Sequence, residues 1–170
     1  MPQEPLPESQ HVDILVDLLS RFPEIYTITL NLPSSSCRLS YMVRRTMSQK
    51  EYGVLRRHIQ ERLDTFFYLQ RYEQNRPVKL RRERYHDLTQ LQFILNYDFL
   101  LGKTAGLLTA IIRDLFQLDL ITENRAAANS WRPDNELIKE LTPAPDSLSR
   151  RRSNRLVAFR DSGKVYIFDK

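Results

Sequence analysis

The stretch YTITLNL, residues 26–32, alternates apolar and polar side chains along its length. Because successive side chains of a strand point to opposite faces of a sheet, this period of two predicts a strand with one buried face. The turn-forming residues 33–36 follow, and residues 38–44 then alternate in the same way. Residues 26–44 therefore predict a β-hairpin, the first part of an antiparallel sheet.

Before this hairpin, the apolar residues are spaced as in an amphipathic helix. From Val12 to Leu19 they recur at intervals of three and four, which predicts an amphipathic helix that begins at Ser9. Pro23 ends the helix, because proline disfavours the helical conformation of the residue that precedes it. Residues 1–8, which include three prolines, are expected to form a disordered lead.

After the hairpin, the sequence predicts a long helix over residues 49–70. Ser48 and Glu51 form a capping box, in which the serine oxygen accepts from a backbone amide and the glutamate accepts from the amide of the cap. An apolar stripe from Tyr52 to Phe66 supplies the side of the helix that is expected to face the core.

The same order of elements then recurs. Strands are predicted over residues 78–85 and 90–97, and a second core helix over residues 104–116. A shift of 53 residues superimposes the apolar stripes of the two long helices, although any two amphipathic helices can align in this way. Two such ββα units predict an α+β fold, an antiparallel sheet of two hairpins that is covered on one face by the two long helices.

A ferredoxin-like arrangement is an alternative division of these elements. If residues 37–43 form the first strand and residues 118–122 the last, the order becomes β-α-β-β-α-β, which is typical of that fold. Many unrelated functions occur on the ferredoxin-like fold, so this arrangement would not indicate a function.

The C-terminal part is divided into a linker and a hairpin. Residues 9–123 are the predicted core domain, residues 124–154 a proline-containing linker, and residues 155–170 a hairpin. An isolated hairpin is only marginally stable in water, so this one is expected to pair with the core sheet or with a second protomer. The linker is long enough to exchange the hairpin between protomers, so a homodimer through the C-terminal hairpin is an open alternative.

The composition excludes several classes of protein. The chain has 170 residues, of which 41% are hydrophobic and 28% charged, and these values are typical of a globular domain. No apolar run approaches the roughly 18 residues that cross a bilayer, so no membrane contact is expected. The acidic N-terminal residues do not resemble a secretory signal, and the single Cys37 cannot form an internal disulfide. We therefore expect a cytoplasmic protein.

The sequence contains no convincing catalytic or metal-binding pattern. Gly102-Lys103-Thr104 opens a helix as a phosphate-binding loop does, but Tyr97 stands where that motif requires a glycine. Thr104 is better explained as the cap of the helix. The three histidines share no metal-ligand spacing with each other or with the cysteine. We predict a protein that is not an enzyme and that uses neither a cofactor nor a metal.

Positive charge is concentrated in the middle of the chain. The net charge is +5, but residues 44–84 alone hold twelve lysines and arginines against five acidic residues. In the predicted strand 78–85, the alternation places Lys79, Arg81 and Tyr85 on one face. Arg82 and Arg84 fall on the other face. The candidate polyanion-binding residues are Arg44, Arg45, Arg56, Arg57, Lys79, Arg81, Arg82, Arg84 and Tyr85.

Two functions of different classes fit this charge pattern. The first is a non-enzymatic binding module whose basic face contacts RNA or another polyanion, with Tyr68, Tyr72 and Tyr85 available to stack on bases. This hypothesis requires the positive groups to gather into one patch when the chain folds. The second is a homo-oligomeric interaction or small-ligand-sensing protein without a nucleic-acid role, in which the arginines only protect an exposed sheet edge.

Overall fold

A computed structural model describes residues 8–71, 78–100, 103–122 and 155–170. These residues form an α+β fold with a six-stranded antiparallel sheet and four helices, which confirms the predicted class. The helices are α1 (Glu8–Arg21), α2 (Gln49–Leu69), α3 (Tyr97–Leu100) and α4 (Thr104–Phe116). The strands are β1 (Thr27–Asn31), β2 (Ser36–Val43), β3 (Lys79–Tyr85), β4 (Leu88–Asn96), β5 (Arg155–Asp161) and β6 (Lys164–Asp169). The predicted linker 124–154 lies outside the described residues, as does the predicted lead except for Glu8.

The two predicted hairpins meet at the centre of the sheet. The strand order is β3-β4-β2-β1-β5-β6, so the second strand of one hairpin pairs with the second strand of the other. Leu39 of β2 lies opposite Phe93 of β4, and Tyr41 lies opposite Leu91. Because α2 and α4 each follow one of these hairpins, the chain contains two consecutive ββα units, as the sequence predicts.

One face of the sheet carries the main core. Alternation directs Leu39 and Tyr41 of β2 and Phe93 of β4 to this side, and all three are fully buried. The helices α1, α2 and α4 contribute buried apolar residues to the same cluster, among them Leu15, Leu19, Ile59, Leu63, Leu108 and Ile112. Full burial of one such side chain contributes about 1.5–3 kcal/mol, so this layer of helices on one sheet face is the main source of stability.

The two long helices begin in different ways. At α2, the oxygen of Ser48 accepts from the amide of Glu51 at 3.2 Å, and the carboxylate of Glu51 accepts from the amide of Ser48 at 2.7 Å. The predicted capping box is therefore confirmed. At α4, the prediction that Thr104 is the cap is wrong, since Lys103 precedes the first helical residue and no side chain caps the helix. Thr104 is instead buried within the first turn, where packing on the core fixes the start of the helix.

Residues 118–122 do not form the strand that the ferredoxin-like alternative requires. Gln117–Asp119 is a short 3-10 helix, and Leu120 makes a single bridge with Val43. The reason is that β1 already pairs with residues 36–40 of β2, so only the last residues of β2 remain available on that side. The ferredoxin-like arrangement is therefore not confirmed.

The C-terminal hairpin extends the sheet of its own chain. β5 pairs antiparallel with β1, with Ile28 opposite Ala158, and β6 pairs with the outer side of β5. Ser162 and Gly163 join the two strands with positive φ angles of 51° and 77°. Both residues of a type I′ turn require positive φ, and this turn matches the twist of a hairpin.

Candidate functional site

The sheet has a second face, opposite the helices, which we call the open face. Its residues alternate with the core residues along each strand. Among the described residues, α1, α2 and α4 all pack on the other side of the sheet. The open face includes Thr27, Thr29, Arg38, Ser40, Met42, Lys79, Arg81, Glu83, Tyr85, Gln90, Gln92, Ile94, Arg155, Val157, Phe159, Asp161, Lys164, Tyr166 and Phe168.

Three cations lie near each other on the open face. Lys79 of the edge strand β3 is opposite Ile94 of β4, which in turn is opposite Arg38 of β2. Arg81 lies two residues along β3, in the next row of the same face. None of the ion pairs between described residues includes Lys79, Arg81 or Arg38. Lys79 and Arg81 are exposed, and Arg38 is half-buried.

The centre of the open face is buried and contains both polar and apolar side chains, since Met42 lies there beside Ser40 and is fully buried. Ser40, Gln92, Gln90 and Thr27 are all buried, although they lie on the face that no described helix covers. The side chain of Gln92 donates to the side-chain oxygen of Gln90 at 2.9 Å, which fixes the orientation of both amides. Because these side chains are buried, they are not accessible to a ligand on this face.

Three aromatic rings lie on the open face at the far side of the sheet from β3. Phe159 of β5 is opposite Tyr166 of β6, with ring centroids 5.4 Å apart and planes inclined by 20°. Phe168, two residues further along β6, also stacks with Phe159, with ring centroids 5.6 Å apart and planes inclined by 14°. Tyr166 is 38% exposed, so at least one ring of this group is accessible. We call Phe159, Tyr166 and Phe168 the aromatic group.

Arg82 is used within the protein. Its guanidinium donates to the carbonyl oxygens of Met47 at 2.6 Å and Ser48 at 2.9 Å, and to the side chain of Gln49 at 2.8 Å. It also lies 4.9 Å from the centre of the Tyr52 ring. These contacts attach β3 to the start of α2, so Arg82 has a structural role.

The nine predicted residues do not gather into a single patch. Lys79, Arg81 and Tyr85 lie on the open face, whereas Arg82 and Arg84 lie on the opposite side of β3, as their alternation predicts. Arg45 forms an ion pair of 3.6 Å with Glu51 near the start of α2. Arg44 is exposed just after β2, and Arg56 and Arg57 are exposed on α2. β3 divides its charges between two faces, so the predicted set is reduced to a smaller patch on the open face, in which Lys79 and Arg81 lie near Arg38.

The tyrosines also lie apart from each other. The hydroxyl of Tyr85 donates to Glu83 at 2.6 Å on the open face. Tyr68 is exposed on α2, and Tyr72 lies outside the described residues. The aromatic group was not found from the sequence, because its residues are more than 70 positions from the basic segment. The signal that was available is the spacing of Tyr166 and Phe168, two residues apart and therefore on one face of a strand.

Several other polar groups make structural contacts, although the second carboxylate oxygen of Glu24 is buried without a hydrogen-bond partner among the described residues. His11 and Tyr97 are hydrogen-bonded at 3.0 Å, and burial raises the pKa of the Cys37 thiol well above its usual range. Glu24, which is buried, accepts from Arg113 at 2.8 Å. Within residues 8–71, 78–100, 103–122 and 155–170, no three histidines, cysteines or carboxylates lie close enough together to hold a metal ion.

A groove of about 530 Å³ lies between α1 and the start of α4. Its lining includes Asp13, Asp17, Arg21 and Lys103. Asp17 accepts from Arg21 at 2.7 Å, so part of the charge in this groove is paired internally. The groove therefore gives a weaker indication of a ligand than the open face.

Comparison with known proteins adds no functional information. No protein-family model, curated protein or solved structure matches this chain. None of the helices in the described part of the chain has the length and apolar character that crossing a bilayer requires.

Proposed function

We propose that this protein binds single-stranded RNA across the open face of its sheet. The observation that supports the proposal is that three cations and the aromatic group occupy one face, on opposite sides of a buried centre. Single-stranded nucleic acids are bound by the combination of a positively charged surface for the backbone and aromatic rings for the bases.

The cations are suited to contact the phosphates. Lys79 and Arg81 lie on β3, and Arg38 lies on the interior strand β2. Charges on an edge strand can be explained as protection against aggregation, as the second hypothesis assumed. That explanation does not apply to Arg38, because β2 is paired on both sides. Its position therefore favours a binding role for this side of the face.

The aromatic group is suited to stack on the bases. Adjacent strands are about 4.8 Å apart, so the face extends over about 24 Å from β3 to β6. This width accommodates a few nucleotides, with the backbone near Lys79 and Arg81 and the bases near Tyr166. Gln92 and Ser40 lie between these two regions but are buried. The contacts to the ligand would therefore be made by the exposed side chains of Lys79, Arg81 and Tyr166.

Reversal of two charges tests the proposal. The double variant Lys79→Glu and Arg81→Glu is expected to bind a short labelled oligouridine at least about tenfold more weakly at low salt. Its dependence of log affinity on log salt should be less steep by about 0.7 for each phosphate contact that is lost. Fluorescence anisotropy over a series of salt concentrations measures both effects.

The matched control carries the same change of charge on α2. The double variant Arg56→Glu and Arg57→Glu should keep nearly all of the affinity, since both residues are exposed and lie on the opposite side of the sheet from the open face. If both double variants lose the same affinity, the binding reports net charge only and the proposed site is wrong.

The variant Tyr166→Ala separates RNA from other polyanions. It should weaken oligouridine binding about fivefold or more, because stacking on an aromatic ring contributes to each bound base. Binding of inorganic polyphosphate, which has no bases, should not change. If Tyr166→Ala binds oligouridine and polyphosphate as tightly as the unchanged protein does, the site recognises phosphates alone.

A further inference from the structure

The two edges of the sheet have opposite chemical character. β3 carries five charged residues in seven, whereas β6 carries only Lys164 and Asp169, at its two ends. The residues between them are apolar or aromatic: Val165, Tyr166, Ile167 and Phe168. Charged residues prevent an edge strand from pairing with another chain, and an apolar edge without them favours such pairing. Among the described strands, none pairs with the outer side of β6.

The free hydrogen-bonding groups of β6 can be assigned from the register. Asp161 and Lys164 close a two-residue turn, so they form a hydrogen-bonded pair, and such pairs alternate along the ladder. The amide of Lys170 donates to Arg155 at 2.8 Å, which fits this alternation. The even-numbered residues of β6 therefore bond to β5. Val165 and Ile167 direct their N–H and C=O groups to the outer edge.

We propose that two copies of this protein associate through β6, which pairs antiparallel with β6 of the second copy. The two-fold axis is perpendicular to the sheet and passes beside Tyr166. Val165 then forms hydrogen-bonded pairs with Ile167 of the second copy, and Tyr166 lies opposite its own equivalent. The two sheets become one continuous sheet, with the helices of both copies on the same side.

This register is favoured by the side chains as well as by the backbone. Val165 and Ile167 both lie on the helix-covered side, where they pack at the margin of the core, and pairing covers their remaining exposed surface. The two Lys164 residues are about four positions apart along the strands, at a distance of about 13 Å, so like charges do not meet. Aromatic residues directly opposite each other across two strands are a stabilising pair.

Association through β6 would also join the two open faces edge to edge. The aromatic group of one copy would continue into that of the second copy. The inference does not depend on RNA binding, because every experiment that tests it measures mass in the absence of nucleic acid.

The first test is the molar mass of the full chain by multi-angle light scattering. The unchanged protein should have twice the 20.2 kDa of one chain at micromolar concentrations. The variant Tyr166→Lys places two positive charges opposite each other at the two-fold axis and should have the mass of one chain. The variant Tyr166→Glu should behave in the same way, because it places two negative charges there.

A mixture of these two variants is the decisive measurement. Residue 166 meets itself only in the proposed register, so Tyr166→Lys mixed with Tyr166→Glu should restore the mass of two chains. The recovery also shows that both variants are folded. A monomeric unchanged protein, a Tyr166→Lys variant that remains dimeric, or a mixture that stays monomeric would each overturn the proposal.

Proline substitution provides a second, independent test. Val165→Pro removes an outward N–H group without removing a bond to β5, so it should yield monomers. The matched control is Arg84→Pro on β3, which removes an outward N–H group from the other edge. The control variant should keep the mass of two chains. If it dissociates and Val165→Pro does not, the two copies associate through β3 and the proposal is wrong.

Discussion

The two faces of the sheet are built from the same strands but differ in what their residues do. On the helix-covered face, Leu39, Tyr41 and Phe93 are fully buried in the core. On the open face, polar side chains lie beside apolar ones, as Ser40, Gln92 and Met42 illustrate. The comparison shows that one set of alternating positions supplies most of the stability. The other set can carry charges and exposed rings at little cost to the fold.

The largest difference in stability between variants of the two faces is expected at two neighbouring residues of β4. Phe93→Ala should lower the free energy of unfolding by about 3–5 kcal/mol, because it leaves a cavity in the core. Gln92→Ala, on the open face, should lower it by about 1 kcal/mol through loss of one hydrogen bond. Urea unfolding of the two variants measures the difference, and equal losses would contradict this division of stability between the faces.

A smaller difference is expected at two neighbouring arginines of β3. Arg82→Ala should lower the free energy of unfolding by about 2 kcal/mol, since its guanidinium bonds to Met47, Ser48 and Gln49. Arg81→Ala, on the open face, should change it by less than about 0.5 kcal/mol. Thermal unfolding followed by circular dichroism distinguishes the two variants. If Arg81→Ala were the more destabilising, the assignment of their roles would be reversed.

The smallest of these effects on the free energy of unfolding concerns the buried tyrosines, and it changes only at alkaline pH. Burial raises the pKa of Tyr26 and Tyr97 to about 12, and the pKa of Tyr41 well above its usual range. An unfolded tyrosine ionises near pH 10, so the folded state favours the neutral phenol. The resulting stabilisation is complete below about pH 10 and is lost as the pH rises towards about 12.

Urea midpoints measured over this pH range test the tyrosine prediction. Tyr41→Phe cannot ionise, so its stability should fall less steeply between pH 10 and pH 12 than that of the unchanged protein. The variant should be less stable at pH 8, because it loses the hydrogen bond of 2.9 Å to Thr109. An identical alkaline slope in both proteins would mean that Tyr41 does not contribute to this loss.

Local patterns in the sequence were enough to predict most of the elements. The alternation in residues 26–32 and the capping box at Ser48 and Glu51 depend on neighbouring residues only, and both correspond to what the structure contains. The division of Lys79 and Arg82 between two faces also follows from the alternation within one strand.

Features that depend on distant residues could not be predicted in the same way. The pairing of β5 with β1 and the proximity of Arg38 to Lys79 depend on the strand order, which single-strand patterns do not contain. The bounds of α4 were predicted correctly, but the role of Thr104 was not, because it has the residue type of a cap and is buried by the packing of the helix. In each case, tertiary contacts decide between alternatives that are equivalent at the level of local sequence.

The pairing of β5 with β1 has a consequence for biosynthesis. Thr27 and Phe159 are partners, although about 130 residues separate them in the chain. A ribosome adds about 5–20 residues per second, so β1 emerges about 7–26 s before its outer partner exists. During this interval, the backbone N–H and C=O groups on the outer edge of β1 are unpaired and can bind chaperones or neighbouring nascent chains. Completion of the sheet is therefore expected to be a late event in folding.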